Sequence, residues 1–158
     1  MKRRPADMMS APPAAAWSRD GDLWRCPSCG KLYPRAGQGH SCVIVDVAEH
    51  FVNRPCAKEL FDAFCSALEK AGGPFRLSVA KTRIGIITKV TFAAIMPRKT
   101  FLRGHLLLRR RIETQRFHRV ERAPNYWIHH FVIYDERDLD SEFLEWLREA
   151  WRVGSKTI

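Results

Sequence analysis

Apolar residues recur at helical spacing in two stretches of the chain and at alternating positions between them. In the first stretch Ala57, Leu60, Phe61, Phe64, Leu68 and Ala71 line one stripe, the pattern of a helix with a single buried face. Pro55 falls in its first turn, Asn53 is placed to cap it, and Gly72-Gly73-Pro74 stops it. Just upstream, Asp46 and Glu49 have the spacing of a reciprocal capping box and predict a short helix with His50 and Phe51 near its end. The second stripe is Phe143, Leu144, Leu147, Ala150 and Trp151, opened by Asp140 or Ser141 and closed by Gly154.

Residues 75–79, 82–89, 90–96 and 100–108 alternate or are rich in β-branched side chains, and Pro97 with the basic pair after it marks a hairpin connection. Residues 117–122 and 126–134 add a second pair around Ala123-Pro124-Asn125. Helix, antiparallel strands, helix predicts an α+β two-layer sandwich with both helices on one face of the sheet. Alternation sends Ile84 and Ile86 to the core, and Arg83, Gly85, Ile87 and Lys89 to the other face. It likewise buries Leu102, Leu106 and Leu108, turns Arg103 and His105 outward, and makes His129 and His130 face opposite ways. The predicted organisation is a disordered tail over residues 1–20, a knuckle over 21–45 and the sandwich over 46–155, without internal repeats.

The knuckle carries the most specific chemistry. Cys26, Cys29, His40 and Cys42 fall within one loop-rich segment in which Pro27 and Gly30 favour a tight turn. Two cysteines two residues apart reach one ion from such a turn, and a second pair completes a tetrahedron, so a structural zinc in a ribbon-like knuckle is expected. With four protein ligands no position stays open for a substrate. A Cys26–Cys29 disulfide or a thioredoxin-like redox pair is the alternative, and neither has a use for His40 and Cys42. Trp24 is expected to pack beside the metal and Trp151 on the sheet, while Cys56 and Cys65 read as thiols buried by the first helix.

Charge changes the picture by where it falls. The chain of 158 residues has a formal charge of +10, and nine basic residues lie between positions 98 and 122 against Glu113 and Glu121. Seven acids follow between positions 135 and 149, which predicts a basic flank beside an acidic helix. A nucleic acid or another polyanion is the first partner this suggests, with Arg109, Arg110 and Arg111 as phosphate contacts. A second reading places a small anionic ligand on the sheet face at Lys81, Arg83, Arg103 and His105, where guanidinium and imidazole supply donors. The ordinary polar outer face of a half-buried sheet is the preferred reading of that surface, ahead of a binding face. An enzyme of unknown reaction is a third reading; the pattern offers it no convincing nucleophile, oxyanion hole or carboxylate pair. No apolar run is long enough for a bilayer, and the basic start leads into Asp7, Pro12 and Pro13, so a cytoplasmic location without membrane contact is expected.

Several short motifs together carry a resemblance. Cys26-Pro27-x-Cys29-Gly30, Gln38-x-His40-Ser41-Cys42, His50-Phe51, Lys81-Thr82-Arg83-Ile84, Pro97-Arg98-Lys99 and Leu144-x-x-Leu147-x-x-Ala150 resemble the bacterial domain-of-unknown-function family numbered 5655, over residues 24–154. The resemblance implies a sandwich domain, often preceded by a zinc knuckle, and assigns no activity.

Overall fold

The structure, a computed structural model, describes residues 23–40 and 42–156. The tail expected over residues 1–20, with Trp17, lies outside the described residues. A small ribbon of β1 (Trp24–Arg25) and β2 (Leu32–Tyr33) comes first, then a 3-10 turn (Val47–Phe51) and helix α1 (Pro55–Ala71). Strands β3 (Arg76–Val79), β4 (Ile84–Ile87), β5 (Thr91–Pro97), β6 (Leu102–Leu108), β7 (Phe117–Arg122) and β8 (Trp127–Ile133) follow. A second 3-10 turn (Glu136–Asp138) leads into α2 (Ser141–Ser155). The six long strands form one antiparallel sheet in the order β3-β4-β5-β6-β8-β7, and α1 and α2 pack together on one face of it. This is the α+β two-layer sandwich the patterning predicts.

The layers meet where the stripes require. Leu60, Phe61, Phe64 and Leu68 of α1 and Phe143, Leu147 and Ala150 of α2 join Ile84, Ile86, Leu102, Leu106, Leu108 and Phe131 in one core. Phe64 stacks on Phe131 at 6.0 Å, and Phe143 stands edge-on to Phe131 at 5.1 Å, offset and T-shaped geometries that favour ring pairs. Gly104 makes room for this cluster: a Cβ there would lie 2.6 Å from Phe131. Leu23, Cys26, Cys29 and Leu32 of the ribbon are buried but stand outside the core cluster, which begins at Val45.

Local signals were mostly where the chemistry requires them, with instructive exceptions. Asp46 and Glu49 make the expected capping box. Asn53 does not cap α1; it adopts φ 57° and the N-cap is Arg54. Asparagine tolerates that left-handed backbone, so the chain reverses there instead. Arg54 then donates to the carbonyls of His50 (3.2 Å) and Pro97 (3.0 Å), tying the 3-10 turn to the end of β5. Asp140 caps α2 by accepting from Phe143 N–H. Gly154 does not end that helix, which runs to Ser155 and closes on left-handed Lys156. Its glycine serves a close approach: a Cβ would lie 2.1 Å from Phe92, and its carbonyl accepts from the Lys89 and Val90 N–H groups.

Alternation holds across β6 and β8 and fails in β4. Ile87, expected outward, is 3% exposed but stands outside the core cluster that holds Ile84 and Ile86; outward-facing Gly85 is buried too, so β4 is covered on both faces. Lys81 and Arg83 precede β4, in a turn closed by Ala80 N–H on the Arg83 carbonyl. Trp151 packs on the turn after α1, against Gly72 and Gly73, and its indole donates to the Pro74 carbonyl at 3.0 Å. Cys56 is exposed in the first turn of α1, so only Cys65 is partly covered; burial pushes the Cys65 thiol up to about 12. Among the described residues, no helix is long and apolar enough to cross a membrane.

Candidate metal centre and anion-binding face

The ribbon builds its site from a tight turn and a returning loop. Trp24 pairs with Tyr33 and Arg25 with Leu32. Between them Cys26 N–H donates to Lys31 O and Gly30 N–H to Cys26 O, with Gly30 at φ 73°. This turn presents the Cys26 and Cys29 sulfurs to His40 and Cys42, whose loop is tied back by Lys31 Nζ on the Val43 carbonyl at 3.0 Å. The four ligand atoms all lie within 4.8 Å of one another.

Three of their six separations are close to the edges of a metal tetrahedron. Cys26 Sγ lies 3.8 Å from Cys42 Sγ, and His40 Nε2 lies 3.3 Å from Cys29 Sγ and 3.4 Å from Cys42 Sγ. With metal–sulfur bonds of about 2.3 Å and metal–nitrogen bonds of about 2.0 Å, tetrahedral edges come to roughly 3.8 Å and roughly 3.5 Å. The five cysteines are free. His40 Nδ1 donates to the Gln38 carbonyl at 2.6 Å, which leaves Nε2 with its lone pair toward the site. Tyr33 stacks on the His40 ring at 4.2 Å and Trp24 stands edge-on at 6.1 Å, so the expected packing of Trp24 beside the centre holds. Backbone N–H groups of Cys29 and Ser28 bring the Cys26 thiol down to about 6, toward the thiolate a metal ligand must be. The sequence-predicted Cys26, Cys29, His40 and Cys42 are thus all brought together.

The second candidate set is divided by the fold. Arg103 and His105 lie on the sheet face opposite the helices, and register places His130 across from His105 and Val132 across from Arg103. The His105 and His130 rings stand 5.6 Å apart, and His118 lies 6.1 Å from His130. His130 Nε2 is 2.6 Å from Glu121, which Arg119 also holds. Burial, with smaller contributions from His130 and Arg83, pushes His105 down to about 4, so it is neutral near pH 7. Burial and then Arg103 also lower His118. Arg83 therefore stands close enough to join this face, while Lys81 stays exposed in its turn. His129 points the other way, 0% exposed: it donates from Nδ1 to the Trp127 carbonyl and accepts Ile112 N–H at Nε2. It is a satisfied core histidine that anchors the loop after β6.

Arg109, Arg110 and Arg111 follow the far end of β6, away from Arg103. Arg110 grips Glu149 of α2 with two bonds, 2.6 and 3.1 Å, and Arg111 pairs with Glu113 at 3.0 Å. Arg109 lies 5.9 Å from the Tyr126 ring, while Arg111 and Arg122 lie 5.6 and 4.8 Å from the Trp127 ring. By contrast, Arg83, Arg98 and Arg103 are exposed and have no side-chain hydrogen bond or ion pair among the described residues.

Near Arg103 the face opens into a cavity of about 750 Å³. Arg98, Arg103, Arg116 and His118 supply its polar wall, and Phe101, Val132 and Tyr134 its apolar one. Arg116 is held rigidly by Asp140 and the Asp138 carbonyl, above the rings of Phe143 and Trp146. Asp138, also in the lining, turns its Oδ2 to the N–H groups of Tyr134 (2.8 Å) and Asp135 (3.1 Å). Sequence patterning misses the part played by Arg98 and Tyr134, because the cavity depends on β8 entering the sheet between β6 and β7.

A family profile described as a domain of unknown function, DUF5655, matches residues 47–154. The chain belongs to this family. The DUF5655 domain thus coincides with the 3-10 turn, both helices and the whole large sheet, and it excludes the Cys/His ribbon. No curated protein and no solved structure matches the chain. The family description assigns no reaction or ligand, so the functional argument rests on the two sites themselves.

Proposed function

We propose that this protein is a non-enzymatic binding module, in which a zinc-held knuckle precedes a DUF5655 sandwich that takes a small anionic ligand on its outer sheet face. The observation that carries the ligand reading is the set of exposed guanidinium groups at Arg83, Arg98 and Arg103 without an acidic partner among the described residues. A cation already paired must give up its partner to bind an anion, whereas an unpaired one loses only hydration. Nucleic-acid binding is the second reading, favoured by Arg109, Arg111 and Arg122 around the rings of Tyr126 and Trp127. Two of the three arginines in the 109–111 run are engaged with Glu149 and Glu113, which ranks it below the sheet face.

Calorimetric titration with phosphate, pyrophosphate, citrate and a short DNA duplex separates the two. Heat from the small anions that vanishes in Arg83→Ala/Arg103→Ala supports the first reading. Binding of the duplex alone, lost in the Arg109, Arg110 and Arg111 triple alanine variant, would replace it with the second.

Three thiolates and an imidazole in tetrahedral spacing suit zinc, and four protein ligands leave it a structural role. Metal analysis of protein purified without chelator should give one zinc per chain. Less than half an equivalent, or an unchanged content in Cys26→Ser/Cys29→Ser, would sink the zinc assignment. A chain beginning at Val45 retains every member of the core cluster, so it should still unfold cooperatively; a molten product would make the knuckle part of the core.

A further inference from the structure

We propose that the cavity between the β5–β6 turn, β7 and β8 binds a phosphomonoester carried on a flat ring, the chemistry of a nucleoside monophosphate; this rests on the anion-binding reading above and gives it a ligand class. The cavity is lined by two chemically different kinds of side chain. Arg98, Arg103, Arg116 and His118 are its basic lining residues, and guanidinium forks match the oxygens of a phosphate dianion, each able to offer two parallel N–H groups. Arg116 is already engaged by Asp140 and the Asp138 carbonyl above two aromatic rings, so it fixes its part of the wall and leaves the anion to Arg98 and Arg103. Arg98 and Arg103 bring charge with no acidic partner among the described residues to displace. The one carboxylate in the lining, Asp138, is occupied by two backbone N–H groups.

The apolar part of the lining calls for a ring. Tyr134 is 68% exposed, an unusual position for a side chain of its size, and its ring leans against Phe101 at 5.2 Å with an interplanar angle of 40°. The Phe101 contact braces it as a stacking wall, and Val132 adds an apolar surface beside it. A bare phosphate would leave that wall wet and most of the 750 Å³ unfilled. Small-molecule sites of roughly 300–1,000 Å³ combine apolar walls with a few convergent polar groups in this way. A planar ring linked to a phosphate suits both kinds of lining, covering Tyr134 while its dianion meets Arg98 and Arg103.

Isothermal titration of the full chain with adenosine 5′-monophosphate, adenosine and inorganic phosphate tests this. The monophosphate should bind about 10-fold more tightly than phosphate, the increment that about 1.4 kcal/mol of stacking supplies, and adenosine should give no measurable heat. Arg98→Ala/Arg103→Ala should weaken both anions by about 10-fold or more. Tyr134→Ala should weaken the monophosphate about fivefold and leave phosphate unchanged, since only the ring meets that wall. Arg110→Ala should change neither. Thermal unfolding checks that each variant is folded, and all these side chains except Arg116, which is not altered, are exposed. Phosphate binding as tightly as the monophosphate, and with the same dependence on Arg103, would overturn the ring-bearing ligand while leaving the anion site standing. No heat from any anion at low salt would overturn both. Monophosphate binding indifferent to the arginine and tyrosine changes would place it elsewhere and reject the cavity.

Discussion

Arg103 and Arg110 belong to opposite ends of β6, and their surroundings differ more than their chemistry. Arg110 meets a glutamate of α2 in a two-bond fork, and its neighbour Arg111 meets Glu113. Arg103 stands on the outer sheet face beside an opening, near the lowered histidines His105 and His118 and with no acidic partner among the described residues. In a list of basic residues the two are equal. In the fold one stitches a loop to a helix and the other holds uncompensated positive charge at a cavity. Local charge excess thus overstates the 109–111 run as an anion site and understates the sheet face, because one of the two acids that pair with the run, Glu149, lies far along the chain. The useful quantity is charge left over after tertiary pairing.

The largest test of this contrast is Arg116, which belongs to both categories. It is paired like Arg110 and lines the cavity like Arg103, but its guanidinium also covers Phe143 and Trp146 and satisfies a backbone carbonyl. Arg116→Ala should therefore cost about 2–3 kcal/mol in urea unfolding, the sum of a charge-assisted hydrogen bond and partly buried cation–π contacts. Arg103→Ala should stay within about 0.5 kcal/mol of the parent, as expected of an exposed side chain with nothing to lose. Equal costs for the two would mean that Arg103 is engaged in the fold after all.

How much of this is readable from sequence depends on how local each feature is. Cys26, Cys29, His40 and Cys42 lie within residues 26–42 and a single turn brings them together, so spacing alone predicts the centre. The two helices and the six strands are legible for the same reason, since each repeats its own period. Asn53 and Gly154 mislead because the residue types that mark caps and stops also serve reversals and close contacts; only the nearness of Phe92 tells which at Gly154. Ile87 misleads because β4 is buried along its whole length, so an outward position is not an exposed one. The cavity is the least legible feature. Phe101 and Tyr134 meet only because β8 enters between β6 and β7, and Arg116 is recognisable as an anchor only once Phe143 and Trp146 are beneath it.

A middle-sized effect should appear with pH, and it separates the histidine beside an arginine from the one beside an acid. His105 titrates ordinarily near 6.5 but is held near 4 by burial, His130 and Arg83, with Glu121 opposing them. As pH falls from 6.5 toward 4, the unfolded chain takes up a proton that the folded His105 refuses, so this contribution is complete above 6.5 and is lost on acidification. The lowered values of His118 and His129 act in the same direction. Stability should fall by about 1–2 kcal/mol between pH 7 and pH 5, and His105→Asn should flatten part of that slope. Arg83→Ala should flatten it slightly, by removing one repulsive neighbour. A melting temperature constant from pH 7 to pH 5 would show that His105 is not held in its neutral form.

The smallest expected effect bears most directly on the choice of ligand. Changing Arg109, Arg110 and Arg111 together to alanine removes the Glu149 fork and the Glu113 pair, both with exposed arginine partners. Such surface pairs contribute about 0.2–1 kcal/mol each and are screened by salt. The triple variant should lose about 1 kcal/mol at low ionic strength and less in 0.5 M salt, while phosphate binding at the sheet face is retained. Glu149→Gln separates the contributions, because it releases Arg110 and leaves the Arg111–Glu113 pair in place. If those arginines bind nucleic acid, Glu149→Gln should strengthen that binding and steepen its salt dependence by releasing a paired cation. If they serve to hold the loop against α2, it should reproduce the small stability loss and leave binding untouched, the outcome expected from a fork whose partner is already in place.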